Sequence, residues 1–439
     1  MIGASWAGRR KITRLIRFWL LVTTLLLALA ATIAVFTGSR SAAAAGREPD
    51  AVSWVTSWGA SPQPAGRDTL AAVGFDDQTV REVIFTSVGG DLIRLELTNA
   101  YGASPLQVGR VTVAVAGLDG ALAPGTIHPV TYGGRASFQI PAGAQVLSDP
   151  VAMRVWPLQE LAVSMYLPDQ TGQATYHLDA YQVNWVSAPG DHTTDQDASA
   201  FVVSTTSWYY LSGLVVRSAA ADGTVVAIGD SITDGVNSVV GANARWPDDL
   251  ARRLDAVSGP TLAVADEGIG GNRVLADSPA YGASAEARFE RDVLDQPGVR
   301  DVIVLEGIND IGFSAGQPSP VTGGVPGTGV SAAQIIAGYR QLIAAAHARG
   351  LRIFGATLLP FQGAGYYSAA GEATREAVNT WIRIGGAFDG VIDFDKVMRD
   401  PADPLRLNPL YDSGDHLHPN DAGYQAMANT INLAMLLPR

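Results

Sequence analysis

From about residue 222 onward the chain alternates two textures that few architectures can accommodate. Near-continuous apolar runs occupy 224–228, 261–265, 301–305, 351–358 and 390–394. Between them lie helical patterns: "WPDDLARRLDAV", "SAEARFERDVLDQ", "SAAQIIAGYRQLIAAAHARG" and "GEATREAVNTWIRIGGAF". A strand that is apolar on both sides must be covered on both faces, and helical crossovers make successive strands parallel. The pattern predicts an α/β domain with a parallel sheet between two helical layers, over 221–439. In such sheets ligands bind at the carboxyl ends of the strands. Any chemistry should therefore sit in the loops that leave each apolar run.

The preceding part reads differently. Residues 46–220 hold short alternating segments such as "REVIFTSV", "DLIRLELTN", "GRVTVAVAG" and "LQELAVSMYLP", separated by Gly, Pro and Asn/Asp turns. Helical periodicity is nearly absent there. An all-β sandwich, jelly-roll-like, is expected. Ahead of it stand Arg9, Arg10, Lys11, Arg14 and Arg17, then "FWLLVTTLLLALAATIAVFTG", then "SRSAAAAG". That order reads as a secretory signal over 1–45, with cleavage near Ala45. An uncleaved membrane anchor is the alternative, since the apolar stretch approaches the ~20 residues that cross a bilayer. The basic flank places the rest of the chain outside the membrane in both cases. A secreted, extracellular protein is expected.

Composition narrows the partners. There is no cysteine, which excludes disulfides and thiolate metal sites. Removing 1–45 takes away six basic and no acidic residues, so 24 Lys+Arg face 42 Asp+Glu and the charge moves from −12 to −18. Such acidity argues against nucleic acid or an anionic membrane surface as a partner. A monomer acting on a small-molecule or polysaccharide substrate is expected, without a cofactor. The Gly/Pro/Ser-rich stretch 314–331 reads as a surface loop or lid.

Four strand ends carry reactive residue types. The first apolar run closes in "VVAIGDSITDG", placing Ser231 in a tight turn. A helix cap is its ordinary role; a nucleophile is the other. The second run leads into "EGIGGNRV", where Gly268, Gly270 and Gly271 allow a sharp turn with unshielded amides. The third ends in "GIND": Asn309 can cap a helix or direct a neutral N–H at a developing oxyanion. Glu306 and Asp310 flank it without an assigned role. Near the C-terminus, "YDSGDHLHPN" carries two of the six histidines. Asp415 stands three residues before His418, a spacing that lets a carboxylate fix an imidazole tautomer. Asp412, Asp415, His416 and His418 could alternatively ligate a metal. His416 is expected to point elsewhere.

Taken in order, "GDSITDG", "GIGGNRV", "GIND" and "DHLHP" resemble the four blocks of the SGNH (GDSL) hydrolase superfamily over about 222–439. The resemblance implies a flavodoxin-like three-layer αβα fold. It implies Ser231 as nucleophile, Asp415 and His418 as its triad partners, and Ser231, Gly271 and Asn309 as oxyanion-hole donors. Asp266 stands where the family's second block usually begins with Asn, and Glu306 is an unusual acid in the third. "WVTSWGASPQ" at 54–63 and the junction before "GDSITDG" are similar to the secreted branch with an N-terminal β-sandwich, which includes aryl- and carbohydrate-esterases. An esterase removing short O-acyl groups from carbohydrate is the implied function. The alternatives are a lipase or arylesterase, and a carbohydrate-binding or envelope protein with little catalysis. Trp246, Tyr281, Phe313, Phe361, Tyr366 and Tyr367 could stack on a sugar or hold an acyl chain, core packing being their ordinary role.

Overall fold

A computed structural model describes residues 53–313 and 329–437. The signal or anchor expected over 1–45, and nearly all of the loop expected over 314–331, lie outside the described residues. Among the described residues no helix is long and apolar enough to cross a membrane.

The alternating segments pair as two antiparallel sheets. In one, Leu211–Ser218 lies between Ser53–Gly59 and Gly90–Thr98, and Gln145–Leu147 and Val151–Val155 both flank the far side of Gly90–Thr98. The other runs Phe201–Thr205, Asn184–Pro189, Gln78–Phe85, Glu160–Leu167, Arg110–Val115, His128–Val130. Period-two alternation aims one side of each strand at the partner sheet. Ile93, Leu95 and Leu97 come from the first sheet, and Val111, Val113, Leu161, Val163 and Met165 from the second. All belong to one buried cluster.

The second half forms a five-stranded sheet in the order Thr261–Gly268, Ala221–Gly229, Val299–Leu305, Arg352–Ala356, Gly390–Ile392, every pair parallel. The first strand is flanked by the second and third, so chain order reverses beside it, which is where open α/β sheets make their crevice. Register aligns the ends: Gly229 pairs with Gly268 on one side and Leu305 on the other. Val225 to Ile228 are buried throughout, as a strand covered on both faces requires. Helices Trp246–Asp255, Ala332–Ala348, Ala369–Ile384 and Asp421–Thr430 follow the periodic segments. The helix expected over 284–296 begins behind a Ser284 cap as Ala285–Phe289 and passes into a π-helical turn, Glu290–Leu294.

Both halves belong to one compact unit, residues 52–439. Strand Ser53–Gly59 is antiparallel to Leu211–Ser218 and also binds the α/β half. The Thr56 N–H is shared between Thr224 Oγ1 (3.0 Å) and the Pro297 carbonyl (2.9 Å). Gly59 has to lack a side chain, because a β-carbon there would lie 2.2 Å from Glu267 Oε1. The Ser61 hydroxyl donates to Glu267 Oε2 at 2.7 Å.

Candidate active site

The turn after the first parallel strand separates two tasks that its sequence leaves confounded. Asp230, not Ser231, caps the short helix Ser231–Asp234: its side chain accepts from the Ile232 N–H at 3.0 Å. Ser231 is therefore released from capping, and its hydroxyl lies 2.8 Å from His418 Nε2. Gly229 lets the turn close, since a β-carbon would sit 2.4 Å from the Leu305 carbonyl of the neighbouring strand.

The C-terminal loop brings the imidazole. His418 Nδ1 lies 2.6 Å from Asp415 Oδ2. An ionised carboxylate only accepts, so Nδ1 carries the hydrogen and Nε2 is left to receive a proton from Ser231. Asp415 is itself fixed: Oδ1 accepts the N–H groups of Leu417 and His418, and Oδ2 accepts from Asn237 Nδ2 at 2.9 Å. Burial pulls the Asp415 pKa upward, but hydrogen bonds and charge from His418, with the two amides, outweigh it and hold it below the usual value. His416 turns away and pairs with Asp412, Nδ1 to Oδ2 at 2.6 Å. The four residues that could have ligated a metal thus divide into two separate His–Asp pairs.

The glycine loop folds back over this turn. The Ile269 N–H donates to the Gly229 carbonyl (3.0 Å) and the Gly270 N–H to Asp234 Oδ2 (2.8 Å). Gly270's amide is thereby committed, whereas Gly271 takes φ +74°, a conformation suited to glycine, against the Tyr281 ring. Asn309 Nδ2 donates to the Asn272 carbonyl at 3.0 Å, and Asn309 Oδ1 accepts the Tyr366 hydroxyl at 3.2 Å. Those partners fix the amide's orientation and leave its second N–H to be directed elsewhere. The flanking acids are structural in their contacts. Asp310 accepts the Val274 and Leu275 N–H groups. Glu306 is wholly buried, and burial raises its carboxyl well above the usual range. Asp266 accepts the Gly268 N–H and is pushed up to about 8 by burial, against the pull of Arg245. Trp246, Phe313, Phe361 and Tyr366 are core residues; Tyr281 and Tyr367 are half-buried.

Several organising residues carry no signal in the sequence. The Arg288 guanidinium, fully buried, donates to the Gly229 carbonyl (2.9 Å), the Glu267 carbonyl (2.6 Å), Asn272 Oδ1 (3.0 Å) and Ser61 Oγ (2.7 Å). One side chain so ties two strand ends, the glycine loop and the sandwich together. From the sandwich, His177 places Nδ1 2.9 Å from the Ser61 carbonyl and Nε2 3.0 Å from Asp234 Oδ1. Both neighbours accept, so the pair holds a proton on each nitrogen or on Asp234. Burial would lower the His177 pKa; the Asp234 carboxylate overcomes this and raises it. Two residues on, Asp179 abuts Gly270. Asn237, two residues past the serine block, is likewise unmarked in the sequence.

Residues 227–426 match the model of the GDSL-like Lipase/Acylhydrolase family. Solved structures similar to the chain include the acetylxylan esterase Axe2 from Geobacillus stearothermophilus, at 20% identity and a TM-score of 0.37. That match covers 50% of this chain and 96% of the other. A GDSL-like lipase from Bacteroides thetaiotaomicron matches at 18% identity and a TM-score of 0.36, covering 49% of this chain and 88% of the other. No curated protein matches the chain.

Proposed function

We propose that this ester hydrolase, whose residues 227–426 form a GDSL-like lipase/acylhydrolase domain, is an exported serine esterase that removes short O-acyl groups from carbohydrate. The observation that carries the mechanism is the continuous array from Asp415 Oδ2 through His418 to Ser231 Oγ, with steps of 2.6 and 2.8 Å.

Ser231 Oγ attacks the ester carbonyl as His418 Nε2 takes its proton, and Asp415 stabilises the imidazolium. The tetrahedral oxyanion is received by the Ser231 and Gly271 amides and the second N–H of Asn309. Collapse breaks the carbonyl–alkoxy bond; the leaving alcohol takes the proton from His418 and the acyl group stays on Ser231. Water, deprotonated by His418, then attacks the acyl-enzyme; the bond from the acyl carbon to Ser231 Oγ breaks, Oγ takes the proton back from His418 and the acid leaves. None of these steps needs a metal or an organic cofactor.

Two features support a small acyl group on a polar alcohol. Tyr281 packs on Gly271, a bulky ring beside a proposed oxyanion donor. The rim outside Ser231 and His418 is polar, carrying Asn237, Ser413, Asp415 and, nearby, Asp179. Export rests on the basic-then-apolar order of residues 1–45.

Wild-type protein should react with a fluorophosphonate probe at Ser231, prefer C2 over C8 p-nitrophenyl esters, and release acetate from acetylated xylan. Ser231→Ala should take no label. Labelling of another residue in that variant would reassign the nucleophile, and a preference for C8 would redirect the substrate to lipid.

A further inference from the structure

We propose that Asp179, delivered by the sandwich to the rim of the α/β half, is a specificity residue that accepts a hydrogen bond from a free hydroxyl on the alcohol side of the ester. The proposal rests on the esterase reading above and names what that site selects.

The placement is built. His177, two residues earlier, is pinned between the Ser61 carbonyl and Asp234 Oδ1, so this segment of the sandwich is tied to the helix that begins at Ser231. From there the Asp179 carboxylate reaches the glycine loop: a β-carbon on residue 270 would lie 2.6 Å from Asp179 Oδ2. The next residue is Gly271. The carboxylate interacts electrostatically with His418 as well as Asp234 and His177. His418 is the group that returns a proton to the leaving oxygen, and Asp179 is assigned to that alcohol side of the ester.

What distinguishes Asp179 is the lack of a donor at a carboxylate that still reaches solvent. Glu306 also accepts no hydrogen bond but is wholly buried; the remaining carboxylates around this turn are engaged. Asp230 accepts from the Ile232 N–H; Asp234 accepts from Gly270 and pairs with His177. Asp266 accepts from Gly268, and Asp415 from His418 and Asn237. Among the described residues Asp179 accepts no hydrogen bond and forms no ion pair, although it is only partly exposed. A carboxylate partly withdrawn from bulk water and without a protein donor is held by water alone, and a ligand hydroxyl that takes the place of that water gains from the lower local dielectric. Burial and the Asp234 charge push its pKa up to about 6 against His177 and His418, which leaves it an acceptor at neutral pH. A bare negative charge near Gly271 would also oppose the oxyanion. A substrate hydroxyl bound to it weakens that opposition, so an ester with a neighbouring hydroxyl gains in the transition state as well as on binding. An acyl group on a sugar has such a hydroxyl on the adjacent carbon.

The test compares 2-hydroxyethyl acetate with ethyl acetate, with acetylcholine as a cation lacking a donor. Wild-type kcat/KM should favour 2-hydroxyethyl acetate by about tenfold, the size of one hydrogen bond to a charged group. In Asp179→Ala the ratio should fall to about one, and in Asp179→Asn, which keeps a neutral acceptor, it should lie between. The ratio is internal to each variant, so it reads selectivity and not folded yield. A wild-type ratio near one, a ratio unmoved in both variants, or an equal preference for acetylcholine would overturn the assignment. Failure of wild-type protein to hydrolyse either simple acetate would instead overturn the esterase reading, and Asp179's role with it.

Discussion

At the scale of single residues, the site depends on which polar group is released from structural work. Asp230 takes the cap and frees the Ser231 hydroxyl; Gly270 gives its amide to Asp234 and leaves Gly271 at the turn. Asn309 divides itself between the two kinds of task. Its oxygen is held by Tyr366 and one N–H by the Asn272 carbonyl, which orients the other N–H without consuming it. In Asn309→Ala the Tyr366 hydroxyl and the Asn272 carbonyl each lose a partner, and the oxyanion loses a donor. Loss of one oxyanion donor typically costs about 2.7–4 kcal/mol, or roughly 10²–10³ in kcat. Steady-state kinetics on p-nitrophenyl acetate should show that fall in kcat with KM changed far less. A variant whose kcat stays at the wild-type value would remove Asn309 from the mechanism.

At the scale of elements, three strand ends lie at one rim, and the register of the parallel sheet would align them even without side-chain ties. Their loops need more, and Arg288 supplies it. A lysine at 288 would keep the charge, but a single ammonium cannot reach the Gly229 carbonyl, the Glu267 carbonyl and Asn272 Oδ1 together. Arg288→Lys should therefore lose about 1–3 kcal/mol in urea unfolding for each buried acceptor left without its donor. Where it is still folded, its kcat should be reduced. Wild-type kcat in the folded variant would show that the loops hold themselves. This residue also marks where the sequence stops being readable. The alternation of apolar runs and helical periods was enough for the parallel sheet, because burial on both faces leaves a one-dimensional trace. The motif blocks at 229–235, 268–274, 307–310 and 415–419 each carry their candidate residues in a local run, and Ser231, Asp415 and His418 among them meet at the rim. Arg288 looks like an ordinary amphipathic-helix arginine until its helix is placed beside two strand ends and Ser61. His177 and Asp179 belong to the other half of the chain, over fifty residues from Asp234, and no local pattern records a meeting at that separation.

At the scale of the whole molecule, the fold buries many carboxyls, and the pH dependence of stability follows from that. Burial pushes Asp310 up to about 6, Asp230 to about 7 and Asp266 to about 8, and it raises Glu267 and Glu306 well above the usual range. In the unfolded chain these groups titrate near 4. Between about pH 4.5 and 8 the native protein therefore binds protons that the unfolded chain has already lost. Stability must then fall as pH rises across that window. The His177 shift acts in the same sense: its folded pKa is raised, so its contribution is full below its unfolded value and is lost on going alkaline. Asp415, Asp292 and Asp393 are shifted down. Their contributions are present above the unfolded value near 4 and disappear only in more acid solution, so they set the acid limb and leave the neutral range alone. Each buried carboxyl that must ionise contributes about 1.4 kcal/mol per pH unit within its own window. Thermal unfolding should give its highest Tm near pH 5, and a Tm lower by several degrees at pH 8. If that fall comes from the buried acids at the centre of the α/β half, Asp266→Asn should flatten its upper part, because the amide stays neutral where the carboxyl has to ionise. A Tm that is constant or rising from pH 5 to 8 would mean that the native state keeps these carboxyls ionised, with donors enough to do so.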